Sequence, residues 1–283
     1  MTSLSINNLV KEYEKFKLGP ISFSISEGEI VGFIGRNGAG KTTTLKSIYD
    51  LVKKNSGSIQ IFDKEFEDNE IELKQHIGFM LGGVDYYPKT KLKNITKVVK
   101  RFYKEWSDET YYNYLKEFSL DEEKRVQELS EGMKVKYNLT LALSHNASLF
   151  ILDEPTSGLD PVSRDEVTDI FMKLTENKKN SILFSTHITE DLDKCADRIV
   201  YIRNGLIVAD DNLETFKSGF LLVEGPKENI DKIKDKVIGY RESRNSFEAL
   251  IKKVEKEEFG EFIIKDADLE TIMVLSERGA QNA

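Results

Sequence analysis

Hydrophobic and polar positions alternate across the first forty residues. In "LSINNLVKEY" and "PISFSISEGEIVGFIG" the Leu, Ile, Val and Phe residues recur every second position, the period of a strand with one face on a core. The pattern stops at a glycine-rich turn, and a helical segment follows it. Between residues 86 and 145 the period lengthens. Leu92, Ile95, Val99, Phe102 and Trp106 are spaced as on one helix face, and Tyr111, Tyr114, Leu115 and Phe118 as on another, which predicts a helical insertion inside an α/β chain. Strand character returns in "SLFILDE" and "NSILFSTH". Beyond residue 218, "GFLLVEGP" predicts a strand and "ENIDKIKDKV" a helix with Ile230, Ile233 and Val237 on one face. "EFIIKDADLETIMVLSER" predicts a strand followed by a helix, so residues 219–283 form a small α+β extension.

The chemistry sits where these elements end. "GRNGAGKTT" has the spacing G-x(4)-G-K-T from Gly35 to Thr42, after an apolar strand and before a helix, as a phosphate-binding loop requires. Gly38 and Gly40 admit phosphate close to the backbone, whose successive N–H groups form an anion nest. Lys41 supplies a point charge for the β- and γ-phosphates, and the Thr42 hydroxyl is placed to ligate Mg²⁺. Asp153 ends an apolar strand, where α/β folds present ligand-facing groups, and can complete that Mg²⁺ site. Strand alternation sends the neighbouring Glu154 to the opposite side, free to orient and deprotonate an attacking water. His187 closes another buried-strand pattern and joins the same row of strand ends. In "QELSEGMKVKYN", Ser130 and Gly132 stand at a predicted helix start, whose free N–H groups and partial positive charge suit an anion.

Composition narrows the class. The chain has 283 residues, 39% hydrophobic, enough for one large domain and an appendage. No apolar run approaches the ~18 residues of a membrane span, and the N-terminus lacks signal-peptide character, so the expected location is the cytosol unless a partner holds the chain elsewhere. The single Cys195 rules out an internal disulfide and reads as a packing residue. A net charge of −8 argues against wholesale nucleic-acid binding. The basic run Lys91, Lys93, Lys97, Lys100, Arg101 and Lys104 is either a solvated helix face or a membrane-facing one.

Taken in order, these motifs resemble those of the nucleotide-binding subunit of an ATP-binding-cassette (ABC) transporter, over about residues 4–218. Gly35, Arg36, Asn37, Gly38, Ala39, Gly40, Lys41, Thr42 and Thr43 resemble the Walker A loop, "LSEGM" the signature, "LFILDE" the Walker B strand, "SGLD" the D-loop, and His187 the switch histidine. Tyr13 is similar to the aromatic residue that stacks on adenine. The resemblance implies a P-loop NTPase cassette spanning 1–218, with an N-terminal antiparallel β subdomain, a mostly parallel core sheet and a helical subdomain at 86–145. It implies ATP and Mg²⁺ as cofactors, Thr42 and Asp153 as metal ligands, and Glu154 and His187 as catalytic groups. It also implies head-to-tail pairing with a second copy or homologue, in which Ser130 and Gly132 of one chain close over the ATP held by the other. The partners implied are separately encoded integral membrane subunits, with the chain peripheral on the inner face of the cell membrane and powering an exporter of drugs, peptides or lipids.

Three positions depart from the family pattern. Glu131 and Met133 replace a glycine and a glutamine of the signature, and Glu131 is tolerable beside a triphosphate only if it points outward. Gly82 occupies the place of a glutamine that touches Mg²⁺; either Asp85 or water fills that role, or Thr42, Asp153 and phosphate suffice. The alternative function is a soluble cassette ATPase acting on nucleic acid or ribosomes, which the acidic charge and the lack of a repeated cassette oppose. A guanine-specific reading fails because "NKKN" has Asn180 where an Asp is required, and an inactive cassette would be expected to lack Glu154 or His187. The membrane partner's contact surface is expected between the loop holding Tyr86 and Tyr87 and the first inserted helix; either tyrosine can equally be a packing residue. Residues 219–283 are either a regulatory module or a packing and dimer-buttressing extension.

Overall fold

The computed structural model describes residues 1–82 and 87–282; Asp85 and Tyr86 lie outside the described residues. The chain divides into two compact units, Met1–Asp210 and Asp211–Ala283. The division falls before α8 (Leu213–Ser218), not after it. The reason is local, since Phe216 of that helix packs on Phe220 of the next strand with ring centroids 5.2 Å apart.

In the first unit β1 (Thr2–Tyr13) and β2 (Phe16–Ser26) form an antiparallel hairpin, and β3 (Ile30–Ile34) runs into the loop before α1 (Lys41–Ile48). β4 (Ser56–Ile61) and β5 (Lys64–Glu65) complete a four-stranded sheet of order β2-β1-β4-β5. The alternation read in the sequence is visible in β2, where Leu18, Ile21, Phe23 and Ile25 are buried while Ser22, Ser24 and Ser26 face solvent.

After α2 (Glu70–Leu73) and β6 (Ile77–Leu81) come three helices, α3 (Leu92–Val99), α4 (Asp108–Glu117) and α5 (Glu131–Leu143). α3 is shorter than the apolar spacing predicts. It tightens into a 3₁₀ turn over Lys100–Phe102, and Tyr103 is extended. Trp106 therefore leaves the helix face and bridges to His145 while its indole N–H donates to Asp108 at 2.8 Å. Leu92 and Ile95 are buried, but Val98 and Phe102 stay exposed. Three of the six residues of the basic run are ion-paired: Lys91 and Lys93 both with Glu123, and Lys100 with Asp108. That pairing favours the solvated-face reading.

The core sheet has the order β10-β9-β3-β8-β7-β6, using β7 (Leu149–Asp153), β8 (Ser181–Thr186), β9 (Arg198–Arg203) and β10 (Leu206–Asn212). β3, β6, β7, β8 and β9 pair in parallel. α6 (Pro161–Thr175) and α7 (Thr189–Cys195) lie between β7, β8 and β9 in the chain. Every residue of β3, β7 and β8 is buried, which is why these strands read as runs rather than alternations. A fully buried Phe33 or Phe184 contributes roughly 1.5–3 kcal/mol by removal from water. The three strands carry their C-terminal ends together, and those ends hold the candidate chemistry.

The second unit is an antiparallel sheet of order β12-β13-β11-β14, formed by β11 (Phe220–Pro226), β12 (Gly239–Glu242), β13 (Ser246–Lys252) and β14 (Ile263–Asp266), followed by α9 (Leu269–Asn282). The hairpin β12–β13 was not foreseen, and the helix foreseen through Val237 is a 3₁₀ segment, Lys227–Lys232. Ile230 and Ile233 are nonetheless both buried, because a spacing of three satisfies a 3₁₀ turn as well as an α-helix.

Candidate functional site

The loop leaving β3 turns through Gly40, whose φ of +118° is open to glycine alone without strain; a Cβ there would also stand 2.9 Å from Leu18 Cδ1. The turn delivers Lys41 as the first residue of α1. Its side chain is buried, and Nζ donates to the carbonyls of Gly35 at 2.6 Å and Arg36 at 3.4 Å. Glu154 Oε1 stands 3.8 Å away. Burial lowers the Lys41 pKa, opposed by the attraction of Glu154 and Asp153. Ala39 turns its buried side chain inward while its carbonyl accepts from Gly205 N–H at 2.9 Å.

Tyr13, Arg36, Asn37, Gly38, Gly40, Lys41, Thr42, Thr43 and Glu154 line one cavity of about 630 Å³. Phe16 lines it too, a residue that the sequence did not single out. Tyr13 is half exposed at the hairpin end, with Lys11 Nζ over its ring at 5.2 Å from the centroid.

Behind the loop the strand ends form a hydrogen-bonded chain. Thr42 Oγ1 donates to Asp153 Oδ2 at 2.9 Å, and Ser185 Oγ donates to Asp153 Oδ1 at 2.5 Å. The Glu154 N–H is shared between Ser185 Oγ at 3.0 Å and Ser185 O at 3.1 Å. His187 Nδ1 is hydrogen-bonded to Glu154 Oε2 at 2.8 Å. Strand alternation does not place Glu154, because β7 stops at Asp153 and Glu154 takes a left-handed backbone with φ +51°. That turn points its carboxylate between Lys41 and His187. Burial raises the Glu154 pKa, against His187 and Lys41 which lower it.

Thr42 and the buried Asp153 present a hydroxyl and a carboxylate side by side. Among the described residues no cluster of three or more His, Cys, Asp or Glu could hold a metal alone. A pair of hard oxygen donors fits Mg²⁺, which keeps waters and takes phosphate oxygens as its remaining ligands. Gly82 contributes backbone only: its N–H donates to Asp153 O at 3.3 Å and its carbonyl accepts from Asn138 Nδ2 at 2.8 Å.

Ser130 and Gly132 do not line this cavity. Ser130 is the N-cap of α5, its Oγ accepting from Met133 N–H at 3.2 Å. Glu131 does point outward; it is 70% exposed and pairs with Lys134 at 2.7 Å. A Cβ on Gly132 would stand 3.2 Å from both Gly158 O and Leu159 Cδ2, so the glycine lets the start of α5 pack against the "SGLD" loop. That loop ends in Asp160, which caps α6 by accepting from Val162 and Ser163 N–H, both at 3.1 Å. Thr156 Oγ1 donates to the buried Asp191 at 2.6 Å, tying the loop to α7. Two kinds of surface thus lie on one chain: a cavity of about 630 Å³ with a carboxylate in its wall, and a capped helix start beside an exposed loop.

Comparison with known proteins identifies the family. The ABC transporter family model matches residues 18–157. The ABC transporter ATP-binding protein YtrB of Bacillus subtilis (strain 168) is 32% identical over 208 residues, 73% of this chain and 70% of that one. The bacitracin transport ATP-binding protein BcrA of Bacillus licheniformis is 32% identical over 216 residues, 74% of this chain and 69% of that one. A solved ATP-binding subunit of an ABC transporter superposes with a TM-score of 0.68 at 28% identity, covering 76% of this chain and 91% of that chain.

Proposed function

Because the chain belongs to the ABC transporter family of ATP-binding subunits, we propose that it powers a bacterial membrane exporter through ATP-driven pairing of two cassettes. It is an ATPase, and the family sets aside the nucleic-acid alternative. The similarity to the bacitracin transport protein supports export, with a peptide-like or amphipathic cargo.

One observation carries the assignment of residues. The Glu154 carboxylate lies in the cavity wall, between Lys41 at 3.8 Å and His187 at 2.8 Å. In our reading the loop Gly35–Thr43 wraps the triphosphate with its N–H groups, and Lys41 exchanges the carbonyls of Gly35 and Arg36 for β- and γ-phosphate oxygens. Tyr13 stacks on the base and Phe16 flanks it. Glu154, held by His187, takes the proton of the attacking water. Thr42 and Asp153 hold Mg²⁺, which when bound neutralises charge on the phosphate oxygens. Ser130 and the Gly132 N–H of a second cassette, a copy or a homologue, close over the γ-phosphate and stabilise the charge that builds there.

Among the described residues no helix is long and apolar enough to cross a membrane. Separate integral subunits therefore supply the pathway in this reading, and they hold the chain at the cytoplasmic face. Residues 82 and 87–102, with the exposed Val98 and Phe102, are the surface we assign to that contact.

The test is Glu154→Gln. The variant keeps every phosphate contact and loses the base, so ATP stays bound, turnover falls by about 10²–10⁴-fold, and ATP-bound pairs accumulate. Wild-type turnover by this variant contradicts the assignment.

A further inference from the structure

β8 places Ser185 opposite Asp153 in the parallel register with β7, and opposite Phe33 in the register with β3. The serine is fully buried in the middle of the sheet, where apolar neighbours fill β3 and β7. A buried hydroxyl in such a place costs stability unless both its proton and a lone pair are used. Here both are. The proton goes to Asp153 Oδ1 at 2.5 Å, and a lone pair receives the Glu154 N–H at 3.0 Å.

The two partners are the two consecutive carboxylates to which the proposed function gives different work. Holding Oδ1 of Asp153 fixes the carboxylate plane so that Oδ2 faces the Thr42 hydroxyl, 2.9 Å away. Holding the N–H of Glu154 fixes a residue whose φ of +51° is uncommon outside glycine, and that conformation turns its side chain toward Lys41 and His187. From this geometry we infer that Ser185 is a positioning residue for ATP hydrolysis, acting through Asp153 on the metal pair and through the Glu154 backbone on the general base. The inference rests on the roles proposed above for those two carboxylates. It assigns to β8 a task that neither the phosphate loop nor the signature performs.

The geometry also says what removal of the hydroxyl leaves intact. The main-chain carbonyl of Ser185 still accepts the Glu154 N–H at 3.1 Å, and the parallel pairing of β8 with β3 and β7 is untouched. Ser185→Ala therefore keeps the fold and the Lys41 loop while both carboxylates lose a restraint.

The experiment compares wild type, Ser185→Ala and Ser185→Cys, with Glu154→Gln in parallel. For Ser185→Ala, kcat falls about 10- to 100-fold, the factor for losing a hydrogen bond to an ionised group. KM for ATP moves less than about twofold, because the phosphate loop is unchanged. The affinity for a fluorescent ADP analogue in EDTA stays at the wild-type value. The Mg²⁺ concentration that gives half the thermal stabilisation by Mg-ADP rises. Ser185→Cys, of the same shape but a weak donor, falls between, and carries the test if the alanine variant does not fold. Unchanged kcat and Mg²⁺ requirement in these variants overturn the inference, as does a loss of metal-free nucleotide affinity matching the loss of kcat. If Ser185→Ala is silent while Glu154→Gln is inactive, the inference fails and the proposed function stands. If Glu154→Gln turns over at the wild-type rate, both fail.

Discussion

In the proposed function Lys41 contacts the β- and γ-phosphates of the nucleotide. Its ammonium is buried and satisfied by two carbonyls of its own loop and by Glu154, so ligand phosphate replaces partners already arranged around the charge. Lys41→Ala is expected to weaken ATP binding about 10- to 100-fold by fluorescence titration, the range for hydrogen bonds to charged groups; unchanged affinity would refute the role. Glu154 gives a pH prediction. Burial raises its carboxyl above the ordinary 4.5, and a base must be deprotonated to act. Turnover should therefore decline as pH falls through a midpoint above 4.5, and a midpoint at or below that value speaks against Glu154 as the base. Cys195 is the opposite case: burial pushes its thiol up to about 12. A maleimide should label it only after denaturation. At this scale the phosphate loop was legible from its spacing because such a loop is local. Ser185 and Phe16 were not, because each reaches the site through strand pairing that a linear pattern does not encode.

Elements show which periodicities can be trusted. The buried runs of β3, β7 and β8 and the alternation of β2 follow directly from how many faces each strand buries. The apolar series ending at Trp106 misled because α3 breaks off at Val99, after which the Trp106 backbone pairs with His145 and its indole N–H bonds to Asp108. The hairpin β12–β13 was missed because β12 has only four residues and the turn, "SRNS", lacks the glycine that usually marks one. Helix starts carry two predictions. Ser107 accepts from Thr110 N–H at 3.0 Å, so Ser107→Ala should cost about 1 kcal/mol in urea unfolding with no change in ATP affinity. Gly132→Val fills the 3.2 Å space against Gly158 and Leu159. It should depress turnover while leaving ATP binding to the Lys41 cavity within about twofold, since a fully active Gly132→Val chain would mean that this seam is not used.

The whole molecule presents its ATP machinery as two incomplete surfaces. The cavity around Lys41 is walled by the phosphate loop, Thr42 and Glu154, with Asp153 and His187 hydrogen-bonded behind them, whereas Ser130 and Gly132 of the same chain are not among its walls. The sequence order of the motifs pointed to the family, and the capped start of α5, standing outside the walls of the Lys41 cavity, fits the proposed closure of Ser130 and Gly132 over the ATP of a second cassette. The most direct measurement is ATP turnover per chain as the wild-type protein is diluted, with its mass followed by light scattering. The account predicts that turnover per chain falls as scattering reports single chains of 32.4 kDa. Undiminished turnover per chain in that monomeric range contradicts the claim that two cassettes share each ATP.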